Sequence, residues 1–304
     1  MTALLETTRP YLASEFDTLA EEARDLGLDD PVPTVRRYRI LQQSALAWRE
    51  QPSSVVAIHG AALNAHAWDG TLLAWQTPAL ALDLPGHGES PWRHDANYDP
   101  AVLAPEIAEA IGVARALGLA TPRVTLVGHS LGGLVALEVA RIAPYLVDHV
   151  ILVDSLPLPP GASALVREFL NGPSSFASRE EIAERARAFG FGGTQGALER
   201  SIWHNTRDLP DGRVAWKHHL GVLGGAALPE RGLEEGWGAI ATLAGRVDLI
   251  WGTRGLINAA SRAHFTALRP DARIIPIEAG SNIHEDAPLE LAAALSKLAG
   301  PARP

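Results

Sequence analysis

Cysteine is absent from this 304-residue chain, which excludes disulfides, thiolate metal sites and cysteine nucleophiles while leaving the compartment open. Lysine is scarce as well. Of the 26 basic residues 24 are arginine, the formal net charge is −9, and no Lys/Arg cluster has the length of a nucleic-acid or anionic-membrane surface, so neither partner is expected. No stretch approaches ~18 consecutive apolar residues, and the start, MTALLETTRPYLASEF, lacks both the basic beginning and the apolar run of a signal peptide. A cytoplasmic location is the expectation. No histidine–carboxylate set has metal-ligand spacing and no glycine-rich loop matches G-x-x-x-x-G-K-[ST], so neither metal nor nucleotide cofactor is expected. Internal repeats and low-complexity tracts are also missing. What remains is 47% hydrophobic and 20% charged, the balance of a folded chain with a sizeable core. The length admits two domains or one large α/β domain with an insertion.

Residues 1–35 carry eight acids and two arginines, two-thirds of the whole net charge. Within them Leu12, Phe16, Leu19, Ala23 and Leu26 recur at alternating spacings of four and three, one face of a helix that Gly27 would end. Residues 1–33 therefore read as an amphipathic helix that docks on the main domain, with a dimer contact or a flap as the sharper alternative. From Val35 on, short apolar runs alternate with helical patterns, the rhythm of a mainly parallel sheet covered on both faces. Strands are expected at 35–40, 45–49, 54–59, 79–83, 123–127, 150–154, 246–251 and 272–277. Helices are expected at 105–117, 131–142 and 258–268 and from about 287. Between 157 and 240 the rhythm breaks: Pro157, Pro159, Pro160 and Gly161 form a rigid exit, followed by helical patterns at 163–170, 178–189 and 195–207 without strands. The core is thus 34–156 with 241–304, and 157–240 is a helical insertion over the carboxyl edge of the sheet.

The most specific chemical signal is Gly128-His129-Ser130-Leu131-Gly132, set between the strand VTLV and the helix LGGLVALEVA. A serine in a sharp strand-to-helix turn is strained, flanking glycines relieve the clashes, and the helix start offers the Leu131 N–H to a developing oxyanion. His59-Gly60-Ala61 follows an earlier strand and offers the Ala61 N–H to the same place. His59 and His87, the latter in Asp83-Leu84-Pro85-Gly86-His87-Gly88, read as structural histidines. Trp203, Trp216 and Trp237 of the insertion would line a pocket or simply pack it.

HGAALNAHAWD, DLPGHGESPWRHDANYDP and GHSLGG, in this order and spacing, make the chain resemble the α/β-hydrolase family with a helical cap, over roughly residues 35–300. The resemblance implies an α/β fold with a mostly parallel eight-stranded sheet, Ser130 as nucleophile, Ala61 and Leu131 as oxyanion hole, and residues 157–240 as the cap. It implies hydrolysis of esters, lactones, thioesters, amides or C–C bonds on a small-molecule substrate with no cofactor; the oligomeric state stays open. Two positions depart from the family pattern. Where many relatives carry the acid after the strand VDLIWG this chain has Gly255, and Asp154, at the end of the preceding strand, is the candidate acid, expected to face residue 281. Where the family places its catalytic histidine stands Ser281. His284, three residues on, lies where relatives often have a second, non-catalytic histidine and reads as a surface or cap histidine. Without an adjacent base serine is a poor nucleophile. An inactivating change, a base from elsewhere (His204, His218 or His219) or a fold that has left hydrolysis behind would each fit. The expected function is a weak serine hydrolase for small or medium apolar acyl substrates. The alternative is a non-hydrolytic catalyst, such as an epimerase or cyclase, or a ligand binder.

Overall fold

The computed structural model describes residues 4–6, 13–159, 161–228 and 233–299. Among the described residues twelve strands run in chain order: β1 (Leu4–Glu6), β2 (Val35–Ile40), β3 (Gln43–Trp48), β4 (Ser53–Ile58), β5 (Ala79–Leu82), β6 (Ala120–His129), β7 (Val147–Val153), β8 (Ser175–Phe176), β9 (Thr206–Asp208), β10 (Val214–Trp216), β11 (Arg246–Gly252) and β12 (Ile274–Ile277). Nine of them form one sheet in the order β1-β2-β3-β5-β4-β6-β7-β11-β12. From β5 to β12 every pairing is parallel, while β1, β2 and β3 join antiparallel. The parallel strands are continuous apolar runs because both of their faces are covered. The sheet is nine-stranded rather than the expected eight because Leu4–Glu6 adds an edge strand along Tyr38–Ile40.

The helices are α1 (Ala13–Asp25), α2 (Asp69–Trp75), α3 (Pro100–Ala116), α4 (Leu131–Ile142), α5 (Ala164–Leu170), α6 (Arg179–Ala188), α7 (Gln195–Asn205), α8 (Leu220–Leu223), α9 (Leu233–Thr242), α10 (Ala259–Leu268), α11 (Ile283–Asp286) and α12 (Pro288–Ala299). Helix α3 begins five residues before the expected start at 105. Asp99 caps it through the Ala101 N–H, Pro100 fits the first turn, and Pro105 is carried inside. Asn258 caps α10 by accepting from the Ser261 N–H at 2.8 Å.

The 157–240 segment is not purely helical. β8, β9 and β10 form a small antiparallel sheet beside α6 and α7, around a core of Phe176, Ile182, Leu198, Ile202, Val214 and Trp216. Two- and three-residue strands are too short to show an alternation in sequence. Near its end, Ile240 joins the main core, and α9 packs on α4.

Helix α1 packs on α2 and on α7 with Leu19 and Ala23 buried; Leu12 lies outside the described residues. Gly27, at φ +68°, ends the turn after it. Its one buried acid explains the docking. Glu15 accepts from Arg37 Nε at 2.7 Å, and Arg37 Nη1 reaches Asp83 Oδ2 at 3.0 Å, so one guanidinium on β2 joins α1 to the loop after β5. Arg37→Met removes the cation shared by two buried carboxylates, and a loss of about 3–5 kcal/mol is expected, read as a lower urea midpoint.

Candidate active site

Strands β4, β6, β7 and β12 all end at the same edge of the sheet, and the loops leaving them carry the residues singled out in the sequence. Ser130 joins β6 to α4 at φ 47°, ψ −118°, a conformation that side chains with a Cβ rarely adopt. The turn is held from two sides: the Ser130 N–H donates to the Val153 carbonyl at 3.2 Å, and the Ser155 hydroxyl donates to the Ser130 carbonyl at 2.7 Å. Its glycines are sterically required. A Cβ on Gly128 would lie 2.5 Å from the Gly132 carbonyl oxygen, and one on Gly132 would press into the carbonyl oxygens of Ile58 and His59. Gly132→Ala is expected to cost about 1–3 kcal/mol of overpacking, measurable by urea unfolding, because backbone on both sides leaves nothing flexible to yield.

Asp154 follows β7 at φ 42° and is buried. Its carboxylate accepts from the Ser281 hydroxyl at 2.6 Å (Oδ2) and from the Gly252 N–H at 3.1 Å (Oδ1). Burial pushes this carboxyl up from the ordinary aspartate range, and the Ser281 and Gly252 hydrogen bonds hold it back. Gly255 explains itself here: a Cβ at that position would stand 2.6 Å from Asp154 Oδ2. Residue 255 projects into the space that the Asp154 carboxylate fills, so this carboxylate calls for a small residue there.

Ser130, Ser281, Ala61 and Gly255 line a single cavity of about 360 Å³. Its other wall comes from the inserted segment, with Phe169, Leu170, Ile182, Ile202, Trp216 and Leu228. Leu131 is buried at the first position of α4, directly behind Ser130. The polar end of the cavity is formed by Asn282 and Glu285. Glu285 accepts from the Ser201 hydroxyl at 2.8 Å and the Asn282 amide at 3.0 Å, and burial raises its carboxyl above the ordinary glutamate range.

The histidines divide clearly. His218 lines the cavity, but its Nδ1 accepts from the Gly221 N–H at 3.0 Å, and burial followed by the His59 charge lowers it to about 3. His204 and His219 face elsewhere: His204 stacks on His66 with ring centroids 3.7 Å apart, and His219 stacks on Trp92 at 4.4 Å beside the Tyr98 hydroxyl. His284, expected as a surface or cap histidine, is buried within α11, which turns it inward against His129 at 4.6 Å, and it does not line the cavity of Ser130. His59 and His87 are fixed in loops: His59 donates from Nδ1 to the Gly60 carbonyl at 2.7 Å and accepts the Leu84 N–H at 3.0 Å, and His87 lies 3.0 Å from the Pro85 carbonyl. Trp216 lines the cavity, whereas Trp203 packs on His204 and Trp237 on His264.

His129 was not singled out from the sequence, although it is the variable residue inside the serine motif. It is buried, donates from Nε2 to the Ser281 carbonyl at 3.0 Å, and is lowered to about 4 by burial, which that carbonyl only partly offsets. It therefore ties the serine turn to the loop after β12.

A strand-to-helix serine elbow at the carboxyl edge of a mostly parallel sheet, under an inserted segment, defines an α/β hydrolase. The model of the alpha/beta hydrolase family matches residues 55–294, and the chain belongs to that family. It is 36% identical over 220 residues, 67% of this chain and 69% of the relative, to esterase Rv0045c of Mycobacterium tuberculosis. Two solved structures of that esterase superpose with TM-scores of 0.81 and 0.80 at 29% and 30% identity, covering 94% of this chain and 98% and 97% of theirs. The thioesterase domain from the curacin biosynthetic pathway shares the fold, with a TM-score of 0.70 at 20% identity over 87% of this chain and 98% of that one.

Proposed function

We propose that this hydrolase cleaves esters or thioesters of small to medium apolar acyl groups, with Ser130 as nucleophile, Ala61 and Leu131 as oxyanion donors, and residues 157–240 as the cap that shapes the acyl pocket. The esterase relative supports the reaction class, and the apolar wall of the 360 Å³ cavity supports the acyl group. The observation that decides the rate is the Ser281 hydroxyl on the Asp154 carboxylate. Acid and nucleophile are present, but a hydroxyl stands where the base belongs, and a hydroxyl does not take up the Ser130 proton at neutral pH. Burial lowers His129 to about 4, and His218 accepts at Nδ1 and is held near 3, so both are weak bases at neutral pH and neither is assigned the missing role. Binding and oxyanion stabilisation survive this loss, so turnover is slow rather than absent.

The test is intact-protein mass spectrometry after exposure to a fluorophosphonate, run beside turnover of a p-nitrophenyl ester series. Slow labelling that disappears in Ser130→Ala, together with weak turnover that prefers apolar acyl groups, is expected. Fast hydrolysis would show that another base serves Ser130. Total inertness of Ser130, even in a variant with histidine restored at 281, would favour the non-hydrolytic or ligand-binding reading that the Ser281 hydroxyl also suits.

A further inference from the structure

Behind the wall made by Ser201, Asn205 and Glu285 lies a second cavity, of about 470 Å³, which Ser130 does not line. Its lining is mixed and carries several charged groups, and segments far apart in sequence meet there: α1, the turn Ala65–Trp68 with the adjoining start of α2, and α7. His66, Asp69 and His204 each present one donor atom, all within 4.8 Å of one another.

Three features mark this cluster as more than a buried ion pair. His66 is oriented by a carboxylate on its far side: Nε2 lies 2.9 Å from Glu15 Oε1, leaving Nδ1 to face Asp69 Oδ2 at 2.7 Å. That is the carboxylate–histidine arrangement that positions an imidazole as a ligand, with a proton now standing where a cation would. Asp69 is buried, and its other oxygen, Oδ1, has no hydrogen-bond partner. Finally, Glu22 of α1 leans onto the same place from above Gly70 and lines the same cavity. Two carboxyl groups crowd this spot; Arg200 Nε stands 3.8 Å from Glu22 Oε2 and His66 faces Asp69, and neither occupies the free side of Asp69 Oδ1.

We propose that His66 Nδ1, Asp69 and His204 bind one divalent transition cation of the zinc type, with Glu22 as the neighbouring carboxylate that balances its charge. Two imidazoles and a carboxylate select Zn²⁺, Co²⁺ or Ni²⁺ over Mg²⁺ and Ca²⁺, which prefer oxygen shells. Binding expels the proton from His66 Nδ1 to solvent. The imidazoles of His66 and His204 lie stacked with an interplanar angle of 14°, so their lone pairs do not yet converge. His204 turns into the cavity, releasing its 3.3 Å contact to the Thr18 hydroxyl, and the donors close to the separation of about 3.3 Å that tetrahedral bonds near 2.05 Å require. Because His66 and Asp69 belong to the core and His204 to the inserted segment, the cation clamps one to the other.

The experiment uses the full chain, free of any affinity tag and stripped with chelator, titrated with Co²⁺ by absorption and with Zn²⁺ by calorimetry. One site per chain is expected, with visible Co²⁺ bands of a nitrogen-ligated, low-coordinate ion and a melting temperature that climbs with Zn²⁺. His204→Gln and Asp69→Asn should each weaken binding by at least about tenfold, while His94→Gln, at an exposed histidine, should not. Wild-type affinity in His204→Gln, or clearly fewer than one cation per chain, would overturn the site. If Asp69→Asn fails to fold, His204→Gln decides alone, since His204 lends no hydrogen bond to the main chain through its ring.

Discussion

Ser281→His should raise ester turnover by three or more orders of magnitude. Loss of the histidine from a serine triad costs up to about 10⁶ in turnover, roughly 8 kcal/mol of transition-state stabilisation. The groups that a histidine would join are in place: Asp154 lies 2.6 Å from the present hydroxyl, and His129 holds the Ser281 carbonyl, so the loop need not move to present a new side chain at this position. A restored imidazole acts as base only when neutral. The rate of the variant should therefore rise with pH through the histidine range near 6.5 and level off above it. The unsubstituted chain should show no such inflection between pH 6 and 9. The comparison is a pH–rate profile of both proteins on one p-nitrophenyl ester. A flat profile for Ser281→His at the rate of the parent would remove the assignment of position 281.

The second large effect is conditional. In the Ser281→His background, Asp154→Asn should cost about 10⁴-fold in turnover, because an amide no longer fixes the imidazole tautomer or stabilises the imidazolium. In the parent chain the same substitution should change the slow rate less than tenfold, since there is no imidazole to orient. Such strong non-additivity separates an acid that works through residue 281 from one that merely caps a loop. Equal losses in the two backgrounds would reassign Asp154 to a structural role, held there by the Gly252 N–H. Stability of all four proteins should be measured alongside, because Asp154 is buried.

Much of the site could be read from single residues because its requirements are local. A serine between β6 and α4 needs glycine at 128 and 132 for reasons confined to a few residues of backbone. The departures at 255 and 281 were visible only against the pattern of the family that the chain resembles. Features resting on short or paired elements were not visible. β8, β9 and β10 are two or three residues long, and β1 exists through its pairing with β2. Pro105 misled the start of α3 because proline inside the second turn of a helix looks, one residue at a time, like a first position. The burial of His284, which reads from the sequence as a surface or cap histidine, depends on α11 packing against His129 and Trp68.

By itself the sequence determined the class of fold, the serine turn, the absence of an imidazole at position 281, and the exclusion of cysteine chemistry, since each follows from residue identity and near-neighbour spacing. The sequence expected Asp154 to face residue 281; the tertiary structure supplied the hydrogen bond between Asp154 and Ser281, 127 positions apart, and alone decided that the space beside Asp154 requires Gly255. It alone brought His66, Asp69 and His204 around one cavity. The physical reason is the same in each case: hydrogen bonds and steric exclusion act over a few ångströms, and only folding sets which distant residues come within that range.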